Sequence, residues 1–294
     1  MSILFDAKTP VIVQGITGKE GSYWTRHMRD LGTNVVAGVT PGKGGQEVDG
    51  IPVLGHVQEA VDRYNAAASM IFVPPKFTKN AVFESLDAGI KLIVTIADGI
   101  PLHEMAQIRS KAKKMDAMVI GGNTSGIISP GVAMMGCLPY WIERVYKPGT
   151  IGVMTRSGSL TNEVTAMVVA VGYGVSTLVG VGGDPIPGTR FAELLPLYEK
   201  DPATEAVVII GELGGTMEEE VAELIRCGGF TKPLVAFLGG RTAPAGVRMG
   251  HAGAIVTGGK GTVKDKIEAL ESVGARVADR PSAIGMLLRE ALEE

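Results

Sequence analysis

The chain reads as an α/β protein of two units, each a parallel sheet covered by helices on both faces. Three observations predict this. Short Val- and Ile-rich runs recur along the 294 residues and alternate with helical patterns, and the runs are apolar throughout, as strands buried on both faces are. The 41 glycines are clustered, and most clusters follow such a run, as strand-to-loop corners do. A hydrophobic share of 45% with 20% charge can build a packed core, and the length suits about two domains.

The first run, residues 11–14, leads into Gly15-Ile-Thr-Gly18-Lys-Glu-Gly21 and then a helical segment. The second, 34–39, closes on Pro41-Gly42-Lys43-Gly44-Gly45. Strands are expected next at 69–73, 92–96 and 118–120, with helical patterns at 79–88 and 104–114 between them. From about 128 to 147 the pattern turns irregular, with Pro130, Pro139 and the aromatics Tyr140, Trp141 and Tyr146. Pro148-Gly149 then opens a new strand, 151–154, followed by a helical run to Ala170 and strands at 177–181, 206–210, 234–238 and, weakly, 275–278. The helical pattern 218–226 starts with Glu218, Glu219 and Glu220, which suit the positive end of a helix better than a metal site. The expected organisation is a domain over 1–125, a connecting segment over 126–149 and a second domain over 150–294.

Composition excludes several classes. With 28 basic and 31 acidic side chains the net charge is -3, and no basic stripe with interleaved aromatics points to nucleic acid. Cys137 and Cys227 cannot make a disulfide framework and have no C-x-x-C partner, so the chain reads as a reduced, cytoplasmic type without a structural zinc site. MSILFDAKTP lacks the features of a secretory leader, and no apolar run reaches the roughly 18 residues of a membrane span.

The first glycine turn sits after a strand and before a helix, where a Rossmann-type turn lets helix-start N–H groups meet a phosphate. Its spacing departs from G-x-G-x-x-G, so a structural turn stays an equal reading. Lys43 stands where an NAD enzyme usually offers a ribose-binding acid, which disfavours a dehydrogenase and suits a phosphate. Walker A fails throughout: Gly18-Lys19 runs into Glu20, Gly42-Lys43 into Gly44, and Gly259-Lys260 into Gly261.

Among four histidines, His251 stands out in Arg248-Met249-Gly250-His251-Ala252-Gly253-Ala254, where small neighbours leave its ring accessible as a nucleophile. His27, His56 and His103 read as surface residues. Arg156-Ser157-Gly158-Ser159-Leu160-Thr161-Asn162-Glu163 opens a helix; Ser159 or Thr161 could cap it, with Glu163 in its first turn, and the same hydroxyls and N–H groups could hold a phosphate. Glu212, at the carboxyl edge of a strand, could orient a histidine or be a plain loop carboxylate.

With these residues in place the chain resembles, over essentially its full length, the α subunit of succinate–CoA ligase. The matching stretches are Met1-Ser-Ile-Leu4, Gln14-Gly-Ile-Thr-Gly18, Gly38-Val-Thr-Pro-Gly-Lys-Gly-Gly45, Asp98-Gly-Ile-Pro101, Arg156-Ser-Gly158, Gly182-Gly-Asp-Pro-Ile-Pro-Gly188, Gly211-Glu212 and Gly250-His-Ala-Gly-Ala-Ile255. The resemblance implies a Rossmann-like CoA-binding domain followed by a flavodoxin-like ligase domain. It implies CoA contacts at Thr17, Gly18, Lys19, Glu20, Lys43, Ile96, Ala97 and Asp98. It implies that His251 is phosphorylated and steadied by Glu212, on a loop that moves. ATP or GTP with Mg²⁺ is expected on a separate ATP-grasp β subunit. Phosphate would pass to His251, then to a carboxylic acid, whose acyl phosphate the CoA thiol attacks.

Two departures stand out. The family's Asn-Cys-Pro-Gly is here Asn123-Thr124-Ser125-Gly126, and a family Tyr is here Asn162, as in the ATP-citrate lyase and citryl-CoA synthetase branch. The connection over 139–147 is also three residues longer. More hydrogen-bonding groups and less bulk point to an acid that is hydroxylated or larger than succinate, such as malate or citrate. A CoA-binding regulatory module without catalysis is the alternative of another class; intact His251 and Glu212 oppose it.

Overall fold

The computed structural model describes residues 3–243, 250–256 and 261–293. The chain divides into two compact units; the first runs to Leu138 and takes in Ile186–Thr189, the second holds Pro139–Pro185 and the chain from Arg190 on.

The first unit comprises β1 (Val11–Gln14), α1 (Lys19–Leu31), β2 (Val35–Val39), β3 (Glu47–Val48), β4 (Ile51–Leu54), α2 (Val57–Tyr64), β5 (Ala68–Ile71), α3 (Pro75–Asp87), β6 (Leu92–Thr95), α4 (Leu102–Lys114), β7 (Met118–Gly121), β8 (Gly126–Ser129) and β9 (Ala133–Gly136). Its sheet has the order β3-β4-β2-β1-β5-β6-β7, parallel apart from β3 against β4. Without the short β3 this is the doubly wound 3-2-1-4-5-6 order of a Rossmann sheet, whose reversal lies between β1 and β5. Ile12, Ile71, Ile93 and Val119 are fully buried in its core, each contributing about 1.5–3 kcal/mol of burial.

The stretch expected to be irregular from 128 starts instead with an antiparallel hairpin, β8 against β9. Pro130-Gly131 is its turn, closed by the Val132 N–H donating to Ser129 O at 3.0 Å; the prolines there mark a hairpin corner, not the loss of order. The hairpin is fastened to the end of α1. Thr33 Oγ1 donates to Met134 O at 2.7 Å and accepts from the Met134 N–H at 3.0 Å.

The second unit comprises β10 (Pro148–Thr155), α5 (Gly158–Ala170), β11 (Val175–Gly180), α6 (Phe191–Lys200), β12 (Ala206–Glu212), α7 (Met217–Arg226), β13 (Leu234–Gly239), α8 (Val263–Glu271), β14 (Arg276–Ala278) and α9 (Ile284–Glu293). These strands run parallel in the order β14-β13-β12-β10-β11, the 2-1-3-4-5 arrangement of flavodoxin-like sheets. Its reversal lies between β10 and β12, where Thr155 pairs with Ile210. Both units are therefore α/β with mostly parallel sheets, as the alternation of elements predicts.

Candidate active site

In each unit the residues singled out from the sequence gather at the carboxyl edge of the sheet, beside the reversal of strand order where such folds open a crevice.

In the first unit Gly18 precedes α1, and no side chain caps that helix end, which leaves its N–H groups free for an anion. Gly21 is required by packing, because a Cβ there would lie 2.3 Å from Gly15 O. Thr17 is half-buried while Gly18, Lys19, Glu20 and Lys43 are exposed. Lys43 Nζ donates to Thr17 Oγ1 at 3.3 Å, so the two glycine loops meet. Two strands along, Ile96, Ala97 and Asp98 follow β6, and the Asn123 N–H after β7 donates to Ala97 O at 2.8 Å. Thr124 Oγ1 accepts from the Gly126 N–H at 2.9 Å. Two hydroxyls at this edge, Thr95 Oγ1 and Ser125 Oγ, are buried without a hydrogen-bond partner among the described residues.

In the second unit Ser157 caps α5, its Oγ accepting from the Leu160 N–H at 3.3 Å. This corrects the expectation of Ser159 or Thr161. Thr161 is buried, with its hydroxyl on Thr155 Oγ1 at 2.9 Å, and Glu163 lies beyond the first turn. Gly158 and Ser159 are exposed, with Ser159 Oγ 3.4 Å from Ser157 Oγ. Asn162 Oδ1 accepts from the Tyr146 hydroxyl at 2.6 Å.

His251 Nδ1 lies 2.7 Å from Glu212 Oε2. Glu212, the last residue of β12, is 8% exposed, and its other oxygen is 3.3 Å from Arg156 Nη2. The hydrogen bond that His251 donates to Glu212 raises the His251 pKa above its ordinary value; burial opposes this, the Glu212 and Asp184 charges add to it and Arg156 opposes it. With Nδ1 engaged by the carboxylate, Nε2 is the nitrogen left to act as nucleophile. The ring is seated on Gly183, where a Cβ would come within 2.5 Å of His251 Cγ. The Gly253 N–H donates to Gly183 O at 3.1 Å and closes the turn after the histidine. Arg248 and Met249 of the histidine segment lie outside the described residues, as do Met1, Ser2, Gly259 and Lys260.

Of the other histidines, His56 and His103 are exposed, whereas His27 is half-buried against the Tyr23 ring at 4.6 Å. Sequence reasoning missed Glu218 and Lys266, both fully buried and paired with each other, with Glu218 accepting from the Glu212 N–H. The signal was present: Glu218 shares a buried helix face with Val221 and Ala222, and Lys266 with Val263 and Leu270. A charge on an apolar stripe needs a partner. No group of three or more His, Cys, Asp or Glu suited to a metal occurs among the described residues, and none of their helices is long and apolar enough to cross a membrane.

Residues 6–99 match the CoA binding domain and residues 154–276 the CoA-ligase domain. An ADP-forming sulfoacetate–CoA ligase subunit of an Acholeplasma species is 71% identical over 290 residues, 99% of this chain and 98% of the relative. A succinate–CoA ligase [ADP-forming] α subunit of Archaeoglobus fulgidus is 50% identical over 292 residues, 99% of this chain and all of the relative. The structure of Methanosaeta concilii ATP citrate lyase with (3S)-citryl-CoA matches with a TM-score of 0.89 at 27% identity, covering 99% of this chain and 50% of that longer one. The chain belongs to the family of ADP-forming CoA ligase α subunits, acid–thiol ligases that need a partner subunit.

Proposed function

We propose that this chain is the α subunit of a sulfoacetate–CoA ligase working through a phosphorylated His251. The observation that carries the acid is the 71% identity, over nearly the whole chain, to a relative named for sulfoacetate. The chemistry of the first-unit edge agrees with it. Thr124 and Ser125 replace the Cys and Pro of the succinate pattern, and the Ser125 and Thr95 hydroxyls are buried without partners among the described residues. A sulfonate has three acceptor oxygens and no donor, so it can accept from such hydroxyls. At the edge of the second unit, Asn162, with its carbonyl held by Tyr146, keeps its amide nitrogen as a donor.

His251 Nε2 is assigned the phosphoryl group. Glu212 holds Nδ1–H and balances the positive charge the ring gains on attack. The first turn of α5, with Ser157, Gly158 and Ser159, offers N–H groups and hydroxyls to a phosphate. CoA is assigned to Thr17, Gly18, Lys19, Glu20, Lys43, Ile96, Ala97 and Asp98, whose exposed lysines and uncapped helix start suit its phosphates. Its thiol supplies the nucleophile that converts an acyl phosphate to a thioester. ATP or GTP with Mg²⁺ is assigned to an ATP-grasp β subunit, in keeping with the absence of a Walker A match in this sequence.

A second reading, a citryl- or malyl-CoA ligase subunit, draws on the likeness to ATP citrate lyase. The test is thioester formation by the reconstituted complex with sulfoacetate, succinate, malate and citrate, alongside acid-labile labelling by γ-labelled ATP. Sulfoacetate should have the highest kcat/KM, and the label should vanish in His251→Ala. Equal or better turnover of succinate removes sulfoacetate as the substrate, and a labelled His251→Ala removes the phosphohistidine.

A further inference from the structure

Behind the His251–Glu212 pair runs a ladder of buried charges. Arg156, 3% exposed, donates from Nη1 to Gly214 O at 3.0 Å and lies 3.6 Å from Glu218 Oε1. Glu218 Oε1 also accepts from the backbone N–H of Glu212 at 3.3 Å, while Oε2 binds Lys266. Lys266 Nζ completes its set with Gly215 O at 3.1 Å and Glu219 Oε2 at 2.8 Å. Glu218 and Lys266 are both 0% exposed. Gly211 makes room for the ladder, since a Cβ there would stand 2.4 Å from Glu218 Oε1.

A buried ion pair of this kind is weak support for stability, because apolar side chains of similar volume often do as well. Its presence therefore asks for another role. Hydrogen-bonding capacity is used up at the Lys266 end and left over at the His251 end, where Arg156 Nε has no hydrogen-bond partner among the described residues and Glu212 Oε1 has only its 3.3 Å ion-pair contact with Arg156 Nη2. The well-satisfied end is the anchor and the open end faces the chemistry. Lys266 also lies on α8, the next helix after His251 among the described residues, whereas Glu218 lies in the first turn of α7, which follows the Glu212 strand.

We propose that Glu218 and Lys266 are a positioning pair: Glu218 fixes both the backbone of Glu212 and the Arg156 that flanks its carboxylate, and Lys266 locks that assembly to the helix following His251. Neither residue touches the reacting atoms. The pair acts by holding Glu212 where it orients the imidazole, so the proposal rests on the reading of His251 as the phosphoryl acceptor.

The charged groups around His251 among the described residues are Glu212, Arg156 and Asp184, and the pair acts on it through the first two. Glu218→Gln removes a negative charge and leaves Arg156 to Glu212 alone, which lowers the His251 pKa. Lys266→Met removes a positive charge and draws Arg156 toward Glu218, which raises it. Each shift should be about half a pH unit or more. The double variant, neutral overall, should return close to the parent value. The measurement is an NMR titration of His251 in the full chain, with the rate of His251 labelling in the complex read in parallel. Glu219→Gln, at the more exposed partner of Lys266, provides a milder charge change and should move the titration as Glu218→Gln does, by less. Opposite shifts with compensation establish the pair; shifts of one sign, or an unmoved His251 with only a lowered denaturation midpoint, overturn it. Absence of phosphate on the wild-type histidine would instead sink the functional reading while leaving the titration result standing.

Discussion

The two sheets use the same edge, the carboxyl one, and equip it in opposite ways. At the carboxyl edge of the first, the groups on offer are backbone N–H, hydroxyls and exposed lysines, held by few side-chain bonds such as the 3.3 Å contact of Lys43 with Thr17. At the edge of the second, His251 rests on Glu212, Arg156, Glu218 and Lys266, the last four at least nine-tenths buried. An edge of the first kind suits a large substrate that comes and goes, because spreading contacts over many weak donors makes none of them decisive. One of the second kind suits a group that must form and lose a covalent bond in one orientation.

The contrast predicts a steep hierarchy of variants. His251→Ala should abolish phosphorylation and reduce thioester formation by at least about 1000-fold, with CoA binding intact by calorimetry. Next comes Gly183→Ala. Its methyl group would stand 2.5 Å from His251 Cγ, so the ring must move; labelling should slow about 100-fold with unchanged circular dichroism, and a normal labelling rate would contradict the seat assigned to the imidazole. Glu212→Gln should cost roughly 10- to 100-fold in labelling and bring the His251 pKa back down.

That change carries a pH signature. A histidine whose folded-state pKa is raised contributes stability fully present below its unfolded value near 6.5, and lost as pH rises through the folded value. The denaturation midpoint of the wild type relative to Glu212→Gln should therefore fall as pH rises from about 6, and a flat difference would show that the pair is not coupled to folding. Smallest is Lys43→Ala, with a rise in the KM for CoA of about 3- to 10-fold, weaker at high salt, and little change in kcat. A large loss of kcat there would erase the distinction between the two edges.

Much of this was legible in the sequence because glycine and histidine carry local signals. The strand at 11–14 and its Gly15 to Gly21 turn, the strand expected over 206–210, which runs on to Glu212, and the small neighbours of His251 each follow from residues close in sequence. The hairpin over Gly126–Ser129 and Ala133–Gly136 was hidden, since two four-residue strands are too short for periodicity to separate from a loop. Ser157, rather than Ser159 or Thr161, caps α5 because the helix already starts at Gly158, which puts Ser159 inside its first turn and Thr161 beyond it. The Glu218–Lys266 contact joins residues 48 apart in sequence, so nothing local announces the pairing. Only their places on apolar helical stripes set them apart.

Cys137 and Cys227 gain a practical meaning from the fold. Burial pushes the Cys137 thiol up to about 12, so it holds its proton at any pH used for alkylation, whereas Cys227 is exposed at the end of α7. A maleimide dye or spin label will therefore mark a single site without mutagenesis. It will sit on the helix whose opposite end carries Glu218, about 13 to 14 Å away along the axis. The wild-type chain thus offers a built-in reporter position on the element that braces the histidine, ready for following one catalytic cycle by fluorescence.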